Sequence, residues 1–347
     1  MHHQRRLREE AVWINSEKYS RYIQTTSKLS SQIPLILTKL DARIHLFTSD
    51  EAKGLADIIQ RRNIFARHSW ENSFYVSRTL NLANRTVIEV LRAGDPDEII
   101  AESQRAVDII QKVALLSCAL AIRRKRFQHL LGIEPYRSDE FDIVIGRNYR
   151  YLRSKSKTTP VIRGISIDER FCRRFFRCGF HELAFFCTSS SQLADRVTSA
   201  ISWLAESREE PLLPAALVKT SIALESLLGF DKSEPLAKSL SERVAFLLSS
   251  EATTRERVGH LIKTFYNQRS RTVHGNKTNI SYQLIEAVDR LAILTCLIIA
   301  INSEKWKTGR GLRKWCENMK WGKKSCELSF PFPDIYMKNA MKLFNIP

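Results

Sequence analysis

The chain is poor in glycine and proline, with 12 and 10 among 347 residues. Both residues interrupt regular structure. Their scarcity, with a hydrophobic content of 44%, argues for a folded, helix-rich protein. No apolar run reaches the roughly 18 residues that a membrane-spanning helix needs. The longest candidate, Leu291 to Ile301, is too short, and no membrane partner is expected. The segment Met1-His2-His3-Gln4-Arg5-Arg6 leads into charge rather than an apolar signal core, so the expected location is cytoplasmic. Cys-x2-Cys pairs are missing too. The seven cysteines (118, 172, 178, 187, 296, 316 and 326) make an odd set, which in a cytoplasmic chain reads as reduced thiols. There is no glycine-rich phosphate loop and no dense carboxylate cluster. Neither ATP hydrolysis nor metal dependence is therefore expected, and no cofactor.

Acidic residues are also in short supply. The net charge is +18, unevenly spread. Residues 1–190 carry 32 basic and 21 acidic groups, residues 191–304 carry 13 of each, and residues 305–347 carry 10 and 3. A basic surface suits a polyanion, and nucleic acid is the default partner. Cys172, Cys178, His181 and Cys187 raise the question of zinc. They interleave with Phe171, Phe175, Phe176, Phe180, Phe185 and Phe186, as in a buried helix, where cysteine serves as a small apolar residue.

Three regions are expected. Residues 1–190 read as a helix-rich N-terminal domain, with helices at Ala52–Ile64 and from Ile99 to Leu131 and a small β element near 141–167. Within that element Arg147, Arg150 and Arg153 interleave with Tyr149 and Tyr151, a mixture able to follow a phosphate backbone and stack bases, or to keep a hairpin edge soluble. Phe171 to Cys187 reads as one helical segment, and Thr188-Ser189-Ser190-Ser191 marks a boundary. Helices follow at about 192–208, 214–229, 235–250, 254–270 and 280–304, the pattern of a bundle. Residues 305–347 read as an irregular basic extension with Trp306, Trp315 and Trp321.

The run Tyr266-Asn267-Gln268-Arg269-Ser270-Arg271-Thr272-Val273-His274-Gly275 carries the chemistry. Arginine presents a permanently charged fork to phosphate, and histidine moves protons near neutral pH. Together they are what RNA cleavage without a metal requires. Chance predicts about one Arg-x4-His spacing in such a composition. Three occur: Arg124/His129, Arg255/His260 and Arg269/His274. Context favours the last. Val258, Ile262, Phe265 and Arg269 share one helix face, so Arg269 extends an apolar stripe and needs an anion, either a ligand or an acid such as Glu225. His274 lies about 140° further around a continuous helix. A helix end or bend between the two is expected, because Thr272 and Val273 are weak helix formers and Gly275 suits a C-terminal cap.

The segment Ala194–Glu304 resembles a HEPN domain of the Apea-like kind. The resemblance is carried by Val218 to Leu228, by Leu240 to Leu248, by Phe265-Tyr266 and by Arg269 to Gly275. It implies a mainly α fold, a HEPN-type bundle that forms a homodimer, and two Arg-x4–6-His motifs meeting at the interface. Many such domains are metal-independent endoribonucleases of toxin or antiviral-defence systems; others only bind RNA. On that pattern Arg269 and His274 take the catalytic places, and Ser270 takes the polar place after the arginine. Arg271 and Lys277, with the basic flanks, would hold RNA. Glu225, Arg243 and Tyr266 fall within the matching blocks and would support the site. A regulatory protein partner acting through the N-terminal half is a further expectation.

Overall fold

The computed structural model describes residues 19–26, 29–61, 69–121, 137–146, 152–160, 165–231, 233–275, 279–322, 327–330 and 335–342. Helices dominate these residues, with one antiparallel sheet among them. The chain forms two compact units. The first comprises residues 1–111 and 132–172, the second 112–131 and 173–347. The boundary read near residue 190 lies inside the second unit.

The first unit is built on six strands: β1 (Ser20–Thr25), β3 (Leu35–Leu37), β4 (Ala42–Phe47), β5 (Arg85–Arg92), β6 (Arg137–Ile145) and β7 (Leu152–Pro160). Their order is β3-β4-β5-β1-β6-β7, antiparallel throughout. A short parallel pair joins β2 (Leu29–Ser31) to β8 (Ile165–Ile167). Ile23, Phe47, Val87, Phe141, Ile143 and Ile145 form one apolar face. Ala52, Leu55 and Ile59 of helix α1 (Ser49–Arg61) and residues of α2 (Ser69–Leu80) pack on it. Thr48 and Glu51 start α1 as a reciprocal cap: the Glu51 N–H donates to the Thr48 hydroxyl at 3.1 Å, and the Thr48 N–H donates to the Glu51 carboxylate at 2.8 Å.

This sheet corrects the reading of residues 1–190 as helix-rich with β structure only near 141–167, since its strands begin at Ser20. Strand β5 shows why. It is buried without a break from Thr86 to Leu91, so it lacks the alternation that marks a half-buried strand. Its centre also carries a charge. Glu89, fully buried, accepts from the guanidiniums of Arg21 at 2.7 Å and Arg43 at 2.6 Å, and His45 lies 3.3 Å away. Burial pushes this carboxyl up, but the two arginines and the histidine outweigh it and hold it well below the carboxylate range.

The third helix, α3 (Pro96–Ala121), contributes to both units, as does α4 (Glu169–Arg177). The segment read as one helix from Phe171 to Cys187 is two, α4 and α5 (Phe180–Thr188), parted at Gly179, whose φ of +78° favours glycine. The bundle helices are α6 (Gln192–Glu209), α7 (Leu213–Leu228), α8 (Leu236–Leu248), α9 (Ala252–Val273) and α10 (Tyr282–Ile301), each within a few residues of its reading from sequence. Helix α10 is the core of the unit: every residue from Leu284 to Ala300 is buried. The C-terminal segment is not irregular. It contains α11 (Gly309–Lys320) and α12 (Ile335–Lys342), and Trp306 and Trp315 are buried edge to face at 5.6 Å.

Candidate functional site

Helix α9 carries the arginine–histidine motif at its C-terminal end. Val258, Ile262 and Phe265 are fully buried, which fixes the helix's rotation. Arg269 extends this stripe to the edge of the core, where its side chain is 30% exposed. The guanidinium Nη2 lies 3.8 Å from Glu225 Oε1 on α7, a loose ion pair. Arg269 Nε and Glu225 Oε1 are both buried with no hydrogen-bond partner among the described residues. Burial pushes the Glu225 carboxyl up, and Arg269 and Tyr266 only partly offset it. Tyr266 is itself 5% exposed and donates to the Ser221 carbonyl at 3.2 Å.

The helix ends at Val273, inside the expected interval, but too late to redirect His274 toward Arg269. The His274 N–H donates to the Ser270 carbonyl at 3.1 Å, so helical bonding runs through the motif. The Thr272 hydroxyl donates back to the Gln268 carbonyl at 2.9 Å without interrupting this bonding. The chain turns only at Gly275, whose φ of +78° places it in the left-handed cap position. Ser270, Arg271 and His274 are neighbours on the helix surface, all exposed, with Val273 51% exposed beside them. Arg269 points about 140° away from His274 around the helix axis. One chain therefore brings Ser270 and His274 together and sets Arg269 on the adjoining face.

The remaining sequence candidates divide clearly. Arg243 is 6% exposed, donates to the Leu228 carbonyl at 2.8 Å and pairs with Glu234 at 2.5 Å. Arg196 donates to the Ser226 carbonyl at 2.9 Å, and the two guanidiniums lie 4.9 and 5.0 Å from the Phe230 ring. Both arginines thus close the C-terminal end of α7. Arg153 sits on β7 opposite Val144, in the first unit. Arg147, Tyr149, Arg150, Tyr151 and Lys277 lie outside the described residues, as do Arg124 and His129. Of the remaining Arg-x4-His pair, Arg255 packs on the Phe246 ring at 4.9 Å and donates to the Ser249 carbonyl at 2.7 Å.

Burial disfavours the thiolate at Cys118, Cys172, Cys178, Cys296 and Cys316. It pushes Cys172 up to about 11 and Cys316 up to about 12. Among the described residues no three His, Cys, Asp or Glu side chains group as a metal ion would need, and no helix is long and apolar enough to cross a membrane.

No protein-family model, curated protein or solved structure matches this chain.

Sequence reasoning missed a groove across α8 that the Arg255/His260 pair borders. Its residues come from α8, α9 and α11, so no local spacing marks it.

Proposed function

We propose that this chain is an endoribonuclease whose site forms where the C-terminal ends of two α9 helices meet. The supporting observation is the state of Arg269. The core positions this guanidinium, its one carboxylate contact is loose, and its buried Nε donor is unspent. A phosphate oxygen would meet the exposed part of this side chain. The exposed Ser270, His274 and Val273 lie at the same helix end, and a second copy would cover Val273 while bringing its own histidine. The resemblance of residues 194–304 to HEPN domains supports the same arrangement.

In this reading the RNA 2′-hydroxyl attacks the adjacent phosphorus. His274 takes the hydroxyl proton as the P–O bond forms. The P–O5′ bond breaks, and His274 of the second copy protonates the leaving oxygen. The products are a 2′,3′-cyclic phosphate and a 5′-hydroxyl. Arg269 neutralises charge growing on the phosphoryl oxygens, and Ser270 orients the strand. The test is incubation of the pure protein with mixed RNA in EDTA, followed by analysis of product ends. Cyclic phosphates are expected, and they should disappear with His274→Ala or Arg269→Ala. Full activity in either folded variant would refute the assignment.

The unbroken helix favours a second reading. With Arg269 and His274 on different faces, the bundle would bind RNA or dimerise without cutting. Salt-sensitive RNA affinity with no products would select it.

A further inference from the structure

Two cavities of about 520 and 370 Å³ flank helix α8. The first lies against α9 and the second against α11. Both are lined by Glu242 and Phe246, so they adjoin at α8 and together make one grooved surface. We infer that this groove holds a single-stranded nucleic acid.

The aromatic residues give the first reason. Trp321, on the wall of the second cavity, is 73% exposed. A large ring left in water at the mouth of a cleft is a stacking surface waiting for a partner. Phe246 lies half-buried where the cavities meet, with the Arg255 guanidinium already fixed over its ring. Successive bases stack on such rings whatever their identity.

Charge accounting gives the second reason. Most acids in the groove are already neutralised. Glu234 pairs with Arg243 and with Arg313 at 2.8 Å, Glu317 with Arg313 at 2.9 Å, and Glu242 with Lys320 at 2.9 Å. Glu256 alone has no ion pair among the described residues. Against it stand Lys238, Arg257 and Lys263, all exposed and without carboxylate partners among the described residues, and His260. The groove thus offers unspent positive charge beside one exposed indole and one half-buried phenyl ring. An acidic peptide would meet the charge and leave the rings unused. A duplex hides its base faces from them.

The inference does not depend on cleavage. A deoxy strand tests it alone, because it lacks the 2′-hydroxyl that the proposed reaction consumes. A fluorescent oligothymidylate of about 12 nucleotides is titrated with the full chain and followed by anisotropy at several salt concentrations. Trp321→Ala should weaken binding about tenfold, and Trp321→Phe should recover most of the loss. The double variant Arg257→Ala/Lys263→Ala should lower the slope of log affinity against log salt by about 1.4. All three positions are exposed, and circular dichroism checks the fold of each variant. Wild-type affinity in Trp321→Ala, equal weakening by Trp321→Ala and Trp321→Phe, or an unchanged salt slope would each overturn the inference. So would equal binding of a duplex, or equal displacement of the strand by polyglutamate.

Discussion

Arg208 and Arg269 make an instructive pair. Both extend from long helices of the second unit toward acids on a neighbouring helix. Arg208 is 5% exposed and lies 3.1 Å from Glu286 and 3.7 Å from Asp289. Its neighbours close a network: Glu286 also accepts from Arg290 at 3.0 Å, and Asp289 accepts from Thr220 at 2.6 Å. Two positive and two negative groups balance inside the core. Arg269 has one acid, at 3.8 Å, where Arg208 has two nearer ones; each arginine leaves its Nε unbonded among the described residues. The first arginine is committed to the fold, and the second is held in place with capacity to spare. A charge's role is therefore read from how completely its surroundings answer it.

That contrast can be broken. Arg208→Ala removes one of the two buried guanidiniums that balance Glu286 and Asp289 and should cost about 3–5 kcal/mol in urea unfolding. If it costs no more than Arg269→Ala, the distinction fails. Next, Arg269→Ala and His274→Ala should each reduce RNA cleavage at least ~100-fold while moving stability by no more than about 1 kcal/mol. A large stability loss with Arg269→Ala would make it structural like Arg208.

Acid titration sharpens the comparison through two carboxyls. Glu89's folded pKa is depressed, so its contribution is present above the unfolded value and is lost as pH falls through the folded one. Glu225's is raised, so it penalises folding as pH rises past the unfolded value. Glu225→Gln should therefore steepen the acid loss of stability and leave neutral stability intact or higher, as monitored by unfolding midpoints between pH 3 and 7, a range set by ordinary carboxyl values of about 4. The smallest effect belongs to a third arginine. Arg313 is 34% exposed and meets Glu317 one turn away at 2.9 Å. Glu317→Ala should cost only about 0.3–0.5 kcal/mol, readable in a thermal melt.

The bundle helices were legible because Pro211, Pro214, Gly229 and Pro235 bound periodic apolar runs. The sheet was not, since β5 is covered on both sides and carries a glutamate whose partners come from β1 and β4. Such a strand shows no period. At the motif, sequence located Gly275 as the stop and Glu225 as the acid beside Arg269. It placed the turn too early because the backbone bond from His274 to Ser270 carries the helical path past Thr272 and Val273 despite their weak propensity. The groove across α8 had no sequence signature, as Trp321 reaches it only through the packing of α11 on α8.

The all-round burial of α10 bears on how the protein is made. Helices α5 to α9 emerge from the ribosome before it, yet each rests against it in the finished bundle. Until Ile301 has been synthesised, those helices lack the column they close upon. The end of α9 thus acquires its finished surroundings late in translation, and on the proposed function this would shield a cell from RNA cutting by a half-built chain.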